Sequence, residues 1–323
     1  MFYSKIKAVG AYVPEYTVTN DDLSKIVDTN DEWISSRSGI RRRHFSKGEN
    51  TSDLAAKAAE IILKEAGVNA EDVELIVVAS VSPDYATPSV SCLVQSKIGA
   101  VNAVAFDIGA ACSGFVFGLS VADKFIKSGV YKNALVIGSE VLSKYLDFED
   151  RGTCVLFGDG AGGAFLERSE EGGILAEDMG SDGARGLSLT SGFRNVVNPY
   201  CEGERFIHSF IEMDGREIFD FATRTVPKSV EALIEKAGIS VDDIDIVVPH
   251  QANARIVQIV ARKLKIPMEK FCLNMEEYGN TSSASIPIAL DEMDNKGLIK
   301  KGDTVLITGF GAGLTWGSML IKF

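Results

Sequence analysis

The chain has 323 residues, 46% of them apolar, and sets 33 basic against 45 acidic side chains for a net charge of −12. That length exceeds what one hydrophobic core usually organises, so two fused core units are expected, and the acidic balance argues against a nucleic-acid or anionic-membrane partner for the molecule as a whole. Five cysteines (Cys92, Cys112, Cys154, Cys201, Cys272) lie far apart with no C-x-x-C pair and no neighbouring histidine, which argues against a metal cage and a disulfide framework and leaves reduced thiols.

At the start, "MFYSKIKAVGAYVPEY" lacks the basic opening, unbroken apolar stretch and cleavage site of a signal peptide, and no later run approaches bilayer length, so the cytoplasm is the expected location. The first amphipathic helix sets Leu54, Ala58, Ile61 and Ile62 at i, i+4, i+7 and i+8. It runs into "KEAGVNAEDVELIVV" (64–78), which reads as helix end, Gly C-cap, acidic loop and β-branched strand. Next comes "GAACSGF" (109–115), a cysteine among residues too small to pack anything, just before a stretch that reads as helix. A thiol at the first turn of a helix meets unpaired backbone N–H groups and the positive end of the dipole, both of which favour thiolate, and small neighbours leave room for a substrate. A buried structural cysteine is the alternative that this loop alone leaves open.

The Gly-rich stretch at 170–193 is the natural seam between two halves. Beyond it a second helix carries Val226, Val230, Leu233 and Ile234 at the same spacing, and "EKAGISVDDIDIVVP" (235–249) repeats the order of helix end, Gly, acidic loop and strand. Gly67 pairs with Gly238, and Gly138 of "LVIG" (135–138) with Gly309 of "LITG" (306–309), both at an offset of 171. Two matches at one spacing point to an internal duplication. Helices alternating with wholly apolar strands indicate mostly parallel sheets covered on both faces.

In "IDIVVPHQAN" (244–253) a strand ends at Pro249 and His250 emerges at its carboxyl edge, where open α/β sheets collect ligands; a structural histidine bonded to nearby backbone is the alternative. The same offset carries Cys112 onto Ser283, inside "GNTSSAS" (279–285), so these two small-residue loops should face each other across the axis relating the halves. Asn280 can donate N–H bonds without carrying a proton away, which suits a carbonyl oxygen that becomes negative, or it is simply a turn residue beside glycine. Finally, "GFGAGLTWGS" (309–318) offers backbone N–H groups unencumbered by side chains, suitable as part of an oxyanion hole.

Taken together, "AACSGF", "VVPHQAN", "GNTSSAS" and "FGAGLTWGS", with "DTNDEWISSRSGIRRRH" (28–44) and "DRGTCVLFGDGAG" (150–162), resemble the β-ketoacyl-acyl carrier protein synthase III family of the thiolase superfamily over essentially the whole chain. The resemblance implies an α/β fold of five layers, αβαβα, duplicated into two pseudo-symmetric halves with mostly parallel mixed sheets. Residues 1–170 would carry the nucleophilic cysteine and 171–323 the histidine and asparagine. It implies a homodimer and a catalytic set of Cys112, His250 and Asn280.

In the implied reaction, Cys112 takes an acyl group from acyl-CoA. Malonyl-acyl carrier protein then loses carbon dioxide to an enolate held by His250 and Asn280, and its carbanion attacks the acyl-Cys112 carbonyl. Acyl-CoA is thus a substrate, and no cofactor is implied. Oxyanion donors would be the backbone N–H groups of Cys112 and Ala312; the family commonly has Gly at the latter, and Ala keeps the N–H unless the loop needs a glycine-only conformation. For CoA, Trp33 and Arg151 would flank the adenine, indole and guanidinium planes suiting its face, Arg37 would lie near the phosphates, and Asn253 would join the CoA-binding set.

The helix after His250 turns Val257, Val260 and Leu264 inward and Arg255, Arg262 and Lys263 outward, which in an acidic protein suits docking of an acidic carrier protein or, by default, a solvated face. Gln251 joins that carrier-binding set. Thr87 in "SPDYATPS" (82–89) stands where well-known members put an aromatic lining the partner subunit's acyl channel, which suggests room for longer or branched primers. A thiolase would need a second cysteine near the C-terminal glycine loop, and an elongating synthase a second histidine at Asn280. An acyltransferase or condensing enzyme of secondary metabolism with the same triad, and a carrier-binding scaffold without turnover, stay open.

Overall fold

Runs of β-branched and leucine residues build two sheets in the computed structural model, which describes residues 2–201 and 203–323. Numbering strands of four residues or more, the first sheet contains β1 (Tyr3–Tyr12), β2 (Leu75–Ala79), β3 (Val104–Ile108), β4 (Asn133–Glu140) and β5 (Gly160–Ser169), in the spatial order β1-β5-β4-β2-β3. The second contains β6 (Gly173–Ser181), β7 (Ile246–Pro249), β8 (Thr304–Gly311) and β9 (Thr315–Lys322), in the order β7-β8-β9-β6. The chain passes from one sheet to the other between Ser169 and Gly173.

Helices of eight residues or more are α1 (Asp31–Ser38), α2 (Thr51–Ala66), α3 (Val90–Ile98), α4 (Gly114–Lys127), α5 (Gly215–Ala237), α6 (Ala254–Leu264) and α7 (Ser285–Asn295). Alternation along each strand feeds two apolar layers. Ile76 and Val78 of β2 meet Ala55, Ala59 and Ile62 of α2 on the outside, while Val77 joins Phe115, Val116 and Leu119 of α4 in the middle. In the second half Val247 and Leu306 meet Val226, Val230 and Val257 outside, and Val248 and Ile307 meet Ile286 and Leu290 of α7 within. The layers are therefore α2/α3, sheet, α4/α7, sheet, α5/α6. Each fully buried Phe, Leu or Ile of the middle layer contributes about 1.5–3 kcal/mol. Among the described residues no helix is long and apolar enough to cross a membrane.

The sheets are mixed, with a larger antiparallel share than the helix–strand alternation implies. β2 pairs in parallel with β3 and β4, and β7 with β8, but β5 runs antiparallel to β1 and β4, and β9 to β8 and β6. β9 can return directly because Ala312–Leu314 is a tight connection rather than a crossover helix.

The offset of 171 runs through the coordinates. It relates both ends of β4 to both ends of β8, the 3₁₀ turn Ala70–Asp72 to Val241–Asp243, the 3₁₀ turn Ala111–Ser113 to Ser282–Ala284, and the first residue of α4 to that of α7. Even the left-handed residues correspond, Ala111 at φ 46° and Ser282 at φ 49°. The expected helix stripe needs correcting: Ile61 is exposed, and the α2 residues that face the sheet are Ala55, Ala59, Ile62 and Leu63. Those are the positions the offset assigns from Val226, Val230, Leu233 and Ile234. Leu54 and Ala58 are buried too, against Val141 and Ala161, which is why the stripe reads one residue early.

Candidate active site

The two small-residue turns meet between the sheets because glycines on the strands beneath them leave no Cβ in the way. A Cβ on Gly309 of β8 would stand 3.2 Å from the Cys112 carbonyl oxygen, and one on Gly138 of β4 would stand 2.2 Å from that of Ser283. Cys112 continues into α4 and is buried, so the sequence expectation of a favoured thiolate is corrected. Burial, with the Glu140 carboxylate adding to it, pushes the thiol up to about 12, against opposition from the Ser282 hydroxyl.

Glu140 is buried and accepts from the hydroxyls of Ser80, Ser82 and Ser283 and from the Val81 N–H. Its counterpart at the 171 offset is Gly311, whose missing Cβ would lie 2.6 Å from the Cys112 nitrogen. One arm of the duplication is thus closed by a Ser283–Glu140 bond, and the other is held open at Cys112.

β7 ends at Pro249 and delivers His250, whose N–H donates to the Thr308 carbonyl at 2.7 Å. The imidazole packs edge-on against Phe310, centroids 5.3 Å apart, and its Nδ1 lies 2.7 Å from Ser285 Oγ. Burial alone lowers its pKa to about 3, so the ring is neutral near pH 7. Asn280 follows the left-handed Gly279, and its Oδ1 accepts the Ser282 N–H at 2.8 Å. That bond fixes the carboxamide and leaves the NH₂ for a ligand.

Cys112, His250 and Asn280 all line one cavity of about 240 Å³, whose outer wall includes Trp33, Arg37 and Asn253. A second cavity of about 430 Å³, lined by Val81, Leu142, Leu189, Ile211, Ser282 and Ala312 among others, shares Cys112, Phe157 and Leu189 with the first. The thiol therefore stands at the junction of two chambers. Ala312 has no left-handed φ, Gly313 (φ 128°) taking that role, so alanine fits there.

At the mouth the Arg37 and Arg151 guanidinium carbons lie 4.6 and 5.3 Å from the Trp33 ring centroid. Arg151 also donates to the Asp28 carbonyl. Asn253 spends its amide on structure, accepting from the Arg255 N–H as the N-cap of α6 and donating to the Arg37 carbonyl. Arg255, Arg262 and Lys263 are exposed on α6. Gln251 does not belong with them: it is buried and bonded to the carbonyls of Pro249 and Cys272 and to the Asn274 N–H. A polar residue next to a helix reads as surface in sequence, but this one precedes the helix and braces the His250 loop. Thr87 is exposed and lines neither chamber. Sequence reasoning missed Glu140, Ser285 and the apolar walls Leu142, Phe157, Leu189 and Ile211, which carry no motif; only the 171 offset from Gly311 singles out Glu140.

Two family models match the chain, 3-oxoacyl-[acyl-carrier-protein] synthase III over residues 106–183 and its C-terminal part over 234–323. Among curated proteins, the β-ketoacyl-[acyl-carrier-protein] synthase III of Clostridium acetobutylicum is 53% identical over 319 residues, 99% of this chain and 98% of that protein. That of Streptococcus mutans is 53% identical over 324 residues, covering 100% of both. Among solved structures, 3-oxoacyl-[acyl-carrier-protein] synthase III of Aquifex aeolicus superposes with a TM-score of 0.93 at 46% identity, covering 99% of this chain and 100% of that one. The chain belongs to the β-ketoacyl-[acyl-carrier-protein] synthase III family.

Proposed function

We propose that the protein initiates type II fatty acid synthesis by condensing an acyl-CoA primer with malonyl-acyl carrier protein to give a 3-oxoacyl-acyl carrier protein. The observation that carries the reading is the single chamber lined by Cys112, His250 and Asn280, with a second, apolar chamber opening behind the sulfur. The adenine of CoA lies at Trp33 and Arg151 with its phosphates near Arg37, the arm of the thioester occupies the first chamber, and the acyl chain enters the second. The Cys112 sulfur bonds to the acyl carbon, CoA leaves, and the thiol proton ends on its sulfur.

In the second stage the malonyl C–C bond breaks, carbon dioxide departs, and the electron pair forms an enolate whose oxygen accepts from His250 and Asn280. Its carbon attacks the acyl-Cys112 carbonyl, the oxyanion being held by the backbone N–H groups of Cys112 and Ala312. Collapse expels the Cys112 sulfur, which takes one proton from solvent. No resident cofactor enters this scheme. The halves 1–170 and 171–323 each supply part of the site, which supports treating them as the two units of the molecule. The Arg262 side chain on α6 makes no hydrogen bond or ion pair among the described residues, whereas Arg255 and Lys263 donate to the carbonyls of Ser36 and Thr223, which suits Arg262 to an acidic carrier protein in the cytoplasm.

A homodimer is part of the proposal. β3 is the edge of the first sheet, with Val104 exposed, and its unpaired backbone groups offer a template for the same strand of a second copy. The Asp107 carboxylate of β3 accepts from the N–H groups of Val90 and Ser91, which holds the Thr87 loop beside that edge. The test is carbon dioxide release from malonyl-acyl carrier protein with a series of acyl-CoAs: release that depends on acyl-CoA supports the reading, and its absence with all of them refutes it.

A further inference from the structure

We infer that Ser285 is a positioning residue that fixes the tautomer of His250, its hydroxyl donating to Nδ1 so that the ring proton sits on Nε2. The inference rests on the proposed reaction for its meaning, but its basis is a proton inventory. Ser285 is the first residue of α7 and is buried, and Oγ lies 2.7 Å from Nδ1. The same oxygen accepts the Gln251 N–H at 3.4 Å. Among the described residues Nδ1 is the one acceptor within reach of the hydroxyl proton. Were Nδ1 protonated instead, it would donate to an oxygen already receiving the Gln251 N–H, and the buried hydroxyl proton would be left without an acceptor, a costly arrangement.

With Nδ1 committed, Nε2 is the nitrogen left for the chamber that His250 lines. The neutral ring then offers Nε2–H, a donor, to the chamber that Asn280, whose NH₂ is left as a donor, also lines. Two donors in one chamber suit an enolate oxygen. A base at Nε2 would not. The alignment also separates the two stages: Ser285 matters for decarboxylation, and little for transfer of the acyl group to Cys112.

Three histidines in the chain make the assignment accessible to long-range proton–nitrogen correlation on protein labelled at histidine nitrogens. The expected wild-type spectrum shows His250 protonated at Nε2 alone. Ser285→Ala is expected to populate the Nδ1–H form and to lower the kcat of malonyl decarboxylation about tenfold or more with little change in KM, while Cys112 acylation changes less than about threefold. Ser285→Thr, which restores a hydroxyl, is expected to recover both spectrum and kcat. A wild-type His250 protonated at Nδ1, or a Ser285→Ala protein with unaltered tautomer and decarboxylation, overturns the inference. Should Ser285→Ala fail to fold, the wild-type and Ser285→Thr spectra still decide it. A wild-type protein that shows the Nε2–H spectrum yet never decarboxylates would refute the proposed reaction and leave the tautomer standing.

Discussion

Cys112 and His250 are both buried, and burial drives their equilibria in opposite directions toward the same neutral pair. With the thiol pushed to about 12, alkylation of Cys112 by iodoacetamide should climb about tenfold per pH unit between about pH 7 and 9 with no plateau. A plateau near neutrality would show a thiolate already formed, as the helix-terminus argument from sequence expects. For His250 the folded pKa of about 3 lies below the ordinary 6.5. Between those values the unfolded chain binds one proton more than the folded one, so stability is undiminished above 6.5 and is lost as pH falls toward 3. Denaturant midpoints of wild type, measured relative to His250→Gln across that window, should fall as pH falls; parallel curves would contradict the assignment.

The duplicated turns carry a test at the level of elements. In Gly138→Ala the new Cβ meets the Ser283 carbonyl oxygen at 2.2 Å, a backbone atom that cannot swing aside. The cost should reach about 3 kcal/mol or more, read as a fall in unfolding temperature. In Gly309→Ala the Cβ meets the Cys112 carbonyl oxygen at 3.2 Å, so stability should change by about 1 kcal/mol or less while the rate of Cys112 acylation falls. Equal stability losses in the two variants would contradict the asymmetry. Much of this level was legible in the sequence, because Gly67, Gly138 and Cys112 have partners at one constant spacing. What periodicity could not show was which residues of α2 face the sheet, since Leu54 and Ala58 are buried by a second neighbour, and that Gln251 points inward. Burial of that kind depends on contacts between distant segments, which a local pattern does not record.

For the whole molecule, the three polar side chains that meet in the first chamber were legible because each sits in a short motif, whereas the second chamber was not: Leu142, Phe157, Leu189 and Ile211 come from four separate segments and look like any core residues. Under the proposed function, chain-length preference would depend on the walls of that chamber and, in the proposed dimer, on Thr87 of the second copy. Thr87→Phe should lower kcat/KM for the longest accepted acyl-CoA about tenfold and spare the shortest; an unchanged profile would remove Thr87 from the channel.

The proposed function requires one chamber to perform both stages. Acyl-enzyme formed with acyl-CoA, freed of excess CoA ester and mixed with malonyl-acyl carrier protein, should show by intact mass the loss of the acyl group from Cys112 as one equivalent of carbon dioxide and of 3-oxoacyl-acyl carrier protein appears. An adduct that forms on Cys112→Ala, or one on Cys112 that malonyl-acyl carrier protein does not discharge, would contradict it.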